Sequence, residues 1–223
     1  MKKIYIVTII FAFIAIGTFV YHKVNELKYT KAINQLNHIK NIAHRGAGST
    51  YNKKYLNLVK KEYENAKVPT LEEIIEMFGH HANYYIETKS PDEYPGMEEK
   101  LLEIINHYEI QDKVIIQSFS EESLQKLHSL QFNIPLVQLL SYKKAVQLAE
   151  SEIEKYSTYC IGLGMNYKYI DAAYVKKIKK HGLEVHPFTV DNEADMKKLL
   201  LWGVDGMFTN YPDRLHSVLK LKK

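Results

Sequence analysis

The sequence is poor in cysteine and arginine, and each shortage narrows what the chain can be. Its 223 residues include one cysteine, Cys160, so an internal disulfide is excluded. No Cys/His cluster has the spacing of a zinc site. Every basic residue except Arg45 and Arg214 is a lysine. Arg45 is therefore a candidate for a site that needs the planar, bidentate guanidinium, although chance use of arginine explains it equally well at this point.

Strong charge imbalance and low complexity are also absent. Hydrophobic residues make up 46% and charged residues 25% of the chain, which is typical of a globular protein and excludes a disordered one. The formal net charge is +4, with basic and acidic residues mixed along the chain. We expect no nucleic-acid partner, because such proteins usually carry a continuous basic stripe. The length suits one domain of moderate size.

The amino terminus carries an uncharged apolar run over residues 4–21. As a helix this run spans roughly 27 Å, close to the thickness of a hydrocarbon core. The residues that follow are bulky and make a poor signal-peptidase site. We expect residues 1–21 to be a signal-anchor helix, residues 22–39 a polar stalk, and residues 40–223 a domain outside the cell membrane. Secretion after cleavage is the alternative.

Past the stalk, apolar strands and amphipathic helices alternate with short connections. The sequence predicts seven strands, at residues 42–46, 84–89, 114–119, 135–140, 159–163, 184–190 and 206–210, with a helix at 142–150 between the fourth and fifth. Alternation with polar residues at the carboxyl ends of strands favours a parallel (β/α)₈ TIM barrel. Residues 48–67 show no convincing strand. We therefore expect the barrel to be one βα unit short, with two unpaired edges that favour self-association.

Charged residues lie at the ends of two early strands. Glu87 and Lys89 share one strand face, so they form either a mutual ion pair or a metal-binding carboxylate beside a phosphate-binding lysine. His44 and Arg45 end the first strand before a glycine, where a turn brings both toward one ligand. A histidine there suits general acid–base work, and an arginine suits phosphate binding. A surface histidine beside a structural arginine fits the spacing equally well.

Five motifs, in this order, resemble the glycerophosphodiester phosphodiesterase family. They are His-Arg-Gly-Ala at 44–47, Pro-Thr-Leu-Glu-Glu at 69–73, Ile-Glu-Thr-Lys at 86–89, Gln-Ser-Phe at 117–119, and Asp-Gly-Met-Phe-Thr-Asn at 205–210. The resemblance covers roughly residues 41–220. It implies a TIM barrel of the phosphodiesterase type that uses Ca²⁺ or Mg²⁺ to hydrolyse glycerophosphodiesters to glycerol 3-phosphate and an alcohol.

The resemblance also assigns roles to residues. His44 and Arg45 match the catalytic motif, with Arg45 also binding the phosphate. Glu87 matches a metal ligand and Lys89 a phosphate contact. Phe188 matches an aromatic residue that lines the substrate cleft.

The chain departs from the family pattern after its first motif. The Glu-x-Asp metal pair and the second catalytic histidine are missing, and an internal deletion of tens of residues explains both that loss and the missing strand. We therefore expect a phosphodiesterase with impaired activity and weakened metal binding. The alternatives are an inactive phosphodiester-binding surface module and a sphingomyelinase D-like enzyme acting on lipid head groups.

Overall fold

The computed structural model describes residues 39–44, 69–131, 133–145 and 147–220, and these form alternating strands and helices. The strands are β1 (Lys40–Ala43), β2 (Tyr84–Thr88), β3 (Val114–Ser118), β4 (Leu136–Leu140), β5 (Gly162–Met165), β6 (Glu184–Val185) and β7 (Gly206–Thr209). The helices are α1 (Leu71–Phe78), α2 (Met97–His107), α3 (Glu121–Leu130), α4 (Glu150–Ser157), α5 (Ala172–Lys180), α6 (Glu193–Trp202) and α7 (Pro212–Lys220). The predicted anchor and stalk lie outside the described residues, apart from Ile39.

All strand pairs are parallel, and the described strands leave the sheet open at one place. β2 to β6 pair in chain order, and β1 pairs with β7. Backbone hydrogen bonds join the two parts: Asp205 N donates to Val185 O at 3.0 Å, and Phe208 N donates to Pro187 O at 3.0 Å. The strand order is therefore β2-β3-β4-β5-β6-β7-β1. Within the described part of the chain no strand lies between β1 and β2, which confirms the prediction of a barrel with about seven strands.

Two apolar cores lie between the strands and the helices that cover them. The first packs β2, β3 and β4 against α1, α2 and α3, and fully buried residues such as Ile105, Ile116 and Leu124 form its centre. The second packs β5 and β7 against α4 to α7, around Leu163 and Tyr174. Each fully buried aliphatic side chain stabilises the fold by about 1.5–3 kcal/mol. These cores hold the strand ends, which carry the polar residues, in fixed positions.

Local signals at the helix ends explain where the chain turns. The Thr70 side chain accepts a hydrogen bond from Glu73 N at 3.1 Å, and the Glu73 carboxylate accepts one from Thr70 N at 2.7 Å. This reciprocal capping box begins α1 at the position that the sequence predicts.

Three of the predicted elements differ in the structure. The sixth strand, predicted at residues 184–190, is only Glu184–Val185, and two other elements are displaced. The helix predicted at residues 142–150 is wrong: α4 begins at Glu150, because Glu152 caps Ala149 N at 2.8 Å and closes the first turn there. The fifth strand begins at Gly162, three residues later than predicted. The cause is that Cys160 N still donates to Tyr156 O at 2.9 Å, in the turn that ends the helix.

No helix in the described ranges has the length and apolar character needed to cross a membrane.

Candidate active site

The polar side chains at the carboxyl ends of the parallel strands lie on one rim of the barrel. His44 follows β1, Glu87 lies near the end of β2, and Gln117 lies near the end of β3. Thr209 ends β7, which pairs with β1, and Asn210 follows it. Because all strands run in the same direction, these groups gather at the same end of the sheet, where barrel enzymes carry their sites.

His44 is held by a chain of hydrogen bonds that begins at a carboxylate. Its Nδ1 lies 2.9 Å from Oδ1 of Asn210. Asn210 donates from Nδ2 to Asp191 Oδ2 at 2.9 Å and from its backbone N to Asp191 Oδ1 at 2.9 Å. Thr209 Oγ1, which is fully buried, donates to the same Oδ1 at 3.3 Å. The imidazole therefore has a defined orientation at the rim.

The second arginine of the chain, Arg214, holds the backbone at Asp191. Arg214 donates from Nη1 to the backbone oxygen of Asp191. Its guanidinium also stacks on the Tyr211 ring, 4.1 Å from the centroid. Sequence reasoning did not identify Asp191 or Arg214, although the polar run Asp191-Asn192 directly after the sixth strand was a usable signal. Arg45 lies outside the described residues, so its predicted role stays a prediction.

Glu87 and Lys89 are both exposed at the end of β2. Glu87 is the register partner of Gln117 on β3. Gln117 is 7% exposed, and its Oε1 has no hydrogen-bond partner among the described residues. The ion pair considered between Glu87 and Lys89 is not among those that the described residues form. Because both side chains are exposed, neither charge carries a burial cost that an ion pair would have to offset.

Phe188 lies half-buried at the barrel mouth between two other aromatic rings. Its centroid is 6.1 Å from that of Phe119 and 6.4 Å from that of Phe208, both in edge-to-face contact. The Phe119 side chain is 49% exposed. The position suits the predicted role of Phe188 in lining a cleft, and that role stays a prediction.

The described residues of the rim do not by themselves fit a resident divalent cation. In residues 39–44, 69–131, 133–145 and 147–220, no three His, Cys, Asp or Glu side chains group closely enough to hold a metal ion. Glu87 and the unpaired amide oxygen of Gln117 are the oxygen donors on adjacent strands of the rim. A Ca²⁺ ion takes six to eight oxygen ligands and Mg²⁺ takes six, so these two leave most positions to water. We assign no chemical step to a metal.

A separate polar network occupies the interior at the amino ends of the strands. The Lys40 ammonium lies 2.6 Å from Glu184, and His186 Nε2 lies 2.9 Å from the same carboxylate. Tyr85 Oη lies 2.7 Å from His186 Nδ1. Burial acts to raise the pKa of Glu184, but His186 and the Lys40 ammonium together lower it to about 2. Burial also raises the pKa of Tyr85 well above its usual value. His186 is fully buried and belongs to this network.

Comparison with known proteins identifies the family. The Glycerophosphoryl diester phosphodiesterase family matches residues 15–214. A glycerophosphodiester phosphodiesterase of Bacillus subtilis (strain 168) is 52% identical over 180 residues, which cover 78% of this chain and 61% of that protein. One from Bacillus altitudinis is 31% identical over 153 residues, covering 66% of this chain and 60% of that protein. The chain thus spans about three fifths of the length of these relatives.

A solved structure shows the same fold. A phosphodiesterase from Oleispira antarctica, in complex with the product sn-glycerol-3-phosphate, superposes with a TM-score of 0.63 at 25% identity. The superposition covers 71% of this chain and 64% of that one. The family match and the fold agree with the five motifs, and the chain belongs to the glycerophosphoryl diester phosphodiesterase family.

Proposed function

We propose that the chain binds glycerophosphodiesters at the rim of the barrel and that its hydrolytic activity is strongly reduced. The family match over residues 15–214 supports the substrate class. The observation that carries the reduction is the lone Glu87 carboxylate: the described residues contain no three-donor metal group. Any Ca²⁺ or Mg²⁺ held through Glu87 would keep mostly water ligands, so we expect weak metal binding.

The proposed binding mode uses the motif residues directly. Arg45 and Lys89 hold the phosphate oxygens, and Phe188 packs against the organic part of the ligand. His44 exchanges a proton with the ligand. Lys89 is exposed, and the structure gives its ammonium no ion-pair partner among the described residues, so it is available to an anion. Two cations need no metal to bind phosphate, and we expect a roughly millimolar Kd, about −4 kcal/mol.

Calorimetric titration of the full-length chain with glycerol 3-phosphate tests the binding site. The titration is done in chelator, so that no metal contributes, and is repeated with Arg45→Ala and Lys89→Ala. Lys180→Ala is the matched control, because Lys180 is exposed at the end of α5, away from the carboxyl ends of the strands.

We expect each of the two rim variants to weaken binding at least about tenfold and the control to leave it unchanged. Equal affinity in all four proteins would contradict the proposed site.

Release of glycerol 3-phosphate from a soluble glycerophosphodiester would distinguish an enzyme from a phosphodiester-binding module. Head-group cleavage from intact lipid would favour the sphingomyelinase D-like alternative.

We also propose that the domain is held outside the cell membrane by residues 1–21. The uncharged run over residues 4–21 supports this location. Recovery of the protein in the medium, with its amino terminus beyond residue 21, would show secretion after cleavage instead.

Self-association is a further part of the proposal. Among the described residues, β1 and β2 each pair with one strand only, which leaves two sheet edges without a partner strand. Such edges favour pairing with another chain. Light scattering coupled to size exclusion is expected to show a dimer or larger species, and a monodisperse monomer would contradict this.

A further inference from the structure

The side-chain amide of Asn210 has one orientation, because one side of it faces the carboxylate of Asp191. Its Nδ2 and backbone N both lie 2.9 Å from oxygens of Asp191. A carboxylate has only acceptors, so the side-chain atom of Asn210 that faces Asp191 must be the nitrogen. A flipped amide would place two oxygens against each other and lose one hydrogen bond. Asp191 thus identifies which side-chain atom of Asn210 is the nitrogen and which is the oxygen. The shape of an asparagine side chain alone leaves that choice open.

The fixed amide then determines the state of His44. With Nδ2 committed to Asp191, Asn210 turns its Oδ1 to His44 Nδ1 at 2.9 Å. An amide oxygen only accepts, so Nδ1 must carry the hydrogen of this bond. In a neutral imidazole one nitrogen is a donor and the other an acceptor. The lone pair of neutral His44 is therefore on Nε2.

We propose that Asn210 and Asp191 are positioning residues that hold neutral His44 as its Nδ1–H tautomer, with Nε2 as the nitrogen that exchanges protons with the ligand. Neither residue contacts the ligand in this scheme: Asp191 orients Asn210, and Asn210 orients the ring. The tautomer follows from the hydrogen bonds alone. The statement that Nε2 serves the phosphodiester rests on the proposed function.

The geometry around Asp191 supports a role in positioning. Its carboxylate receives three hydrogen bonds, from Thr209 Oγ1 and from two atoms of Asn210. Its backbone oxygen receives a fourth from Arg214. Asp191 is thus held through its carboxylate by Thr209 and Asn210 at the end of β7, and through its backbone oxygen by Arg214 of α7. A change at Asp191 is expected to act on His44 only through Asn210.

Nitrogen-15 NMR of the histidine rings tests the tautomer in the full-length chain. The ten histidines are labelled, and His44 is assigned as the ring that disappears in His44→Ala. Long-range proton–nitrogen correlations distinguish protonated from unprotonated ring nitrogens. At a pH where the ring is neutral, we expect His44 to show a protonated Nδ1 and an unprotonated Nε2. A protonated Nε2 in the unmodified chain would overturn the proposal, whatever the variants do.

Three variants test the path from Asp191 through Asn210. Asn210→Ala removes the acceptor and is expected to shift His44 toward the Nε2–H form. The exchange D191N/N210D places the amide and carboxylate in each other's positions, so an acceptor again faces Nδ1, and the original tautomer is expected to return. Asn106→Ala removes an exposed asparagine hydrogen-bonded to Gln131 and is the control that should change nothing at His44.

The outcomes separate positioning from function. An unchanged tautomer in Asn210→Ala would overturn the role of Asn210. If Asn210→Ala does not fold, the tautomer of His44 in the unmodified chain and in the exchange variant still tests the proposal. Glycerol 3-phosphate is then added to the unmodified chain. A shift of the Nε2 signal of His44 supports its use by the ligand. No shift, with the Nδ1–H tautomer present, would contradict only the ligand contact and leave the positioning established.

Discussion

Replacing Glu184 by glutamine measures what the polar network inside the barrel contributes to stability. The pKa of Glu184 is about 2 in the folded protein, against 4.5 for a free glutamate. The difference of about 2.5 corresponds to at most about 3 kcal/mol. The Glu184 side chain is 33% exposed, so solvent screening reduces this value. We expect Glu184→Gln to lower the free energy of unfolding by about 1–2 kcal/mol at pH 7.

The pH dependence of this loss has a defined sign. Because the folded pKa lies below the unfolded one, the ionised carboxylate stabilises the fold fully above about pH 4.5, and that stabilisation is lost as the pH falls toward 2. The difference between the two proteins should therefore be constant from pH 5.5 to 7.5 and shrink below pH 4.5.

Urea unfolding followed by the fluorescence of Trp202, the single tryptophan, measures both effects. Glu103→Gln is the control: Glu103 pairs with Lys100 where the side chains are 69% and 60% exposed, and its loss should cost less than about 0.5 kcal/mol. Equal losses in the two variants, or a Glu184→Gln difference that grows as the pH falls, would refute the reasoning.

Three further predictions address the packing of the barrel and one helix cap. Gly162→Ala places a Cβ 2.9 Å from the carbonyl oxygen of Glu184, so the free energy of unfolding in urea should fall by about 1–3 kcal/mol; an unchanged free energy would show that the strands separate freely. Burial raises the pKa of Cys160 to about 12. At pH 8 its thiol should therefore react with a disulfide reagent at least about 100-fold more slowly in the native protein than in urea. Equal rates in the two conditions would contradict this. Thr70→Ala removes the hydrogen bond to Glu73 N and should cost about 1 kcal/mol in urea unfolding, unless α1 is held by packing alone.

Hydrophobic periodicity was sufficient to predict the architecture, because each buried strand is short and each helix has one apolar face. It also predicted the gap in the barrel: the sequence of residues 48–67 has no apolar strand pattern, and among the described residues β1 and β2 do not pair with one another. Element boundaries were less predictable. α4 begins eight residues later than expected, at Glu150, because the Glu152 cap decides the boundary and the apolar spacing of residues 142–150 does not.

The positions of the motif residues were predictable from the sequence, and their roles stay predictions; the side chains that act through a neighbour were not predictable. His44, Glu87 and Lys89 lie at strand ends on the rim, as the pattern predicts. Their burial was not predictable: Glu87 is exposed because β2 borders the opening of the barrel. The position of Asp191 after the sixth predicted strand was a usable signal, but its contact with Asn210 was not predictable, because that contact joins the segments after β6 and β7. Hydrogen bonds between segments that are distant in the sequence depend on which strands lie side by side, and sequence spacing does not give that.

We propose that this chain keeps the phosphate-binding residues of the family site, whereas its described residues hold no complete metal site. The most direct test is hydrolysis of glycerophosphocholine by the full-length chain in the presence of Ca²⁺ or Mg²⁺, followed by release of glycerol 3-phosphate. Losing a general acid–base group typically costs about 10²–10⁴-fold, and losing the metal adds several kcal/mol. We expect no detectable release. Turnover that requires Ca²⁺ and disappears in His44→Ala or Glu87→Ala would contradict the claim, and would mean that donors outside the described residues complete the site.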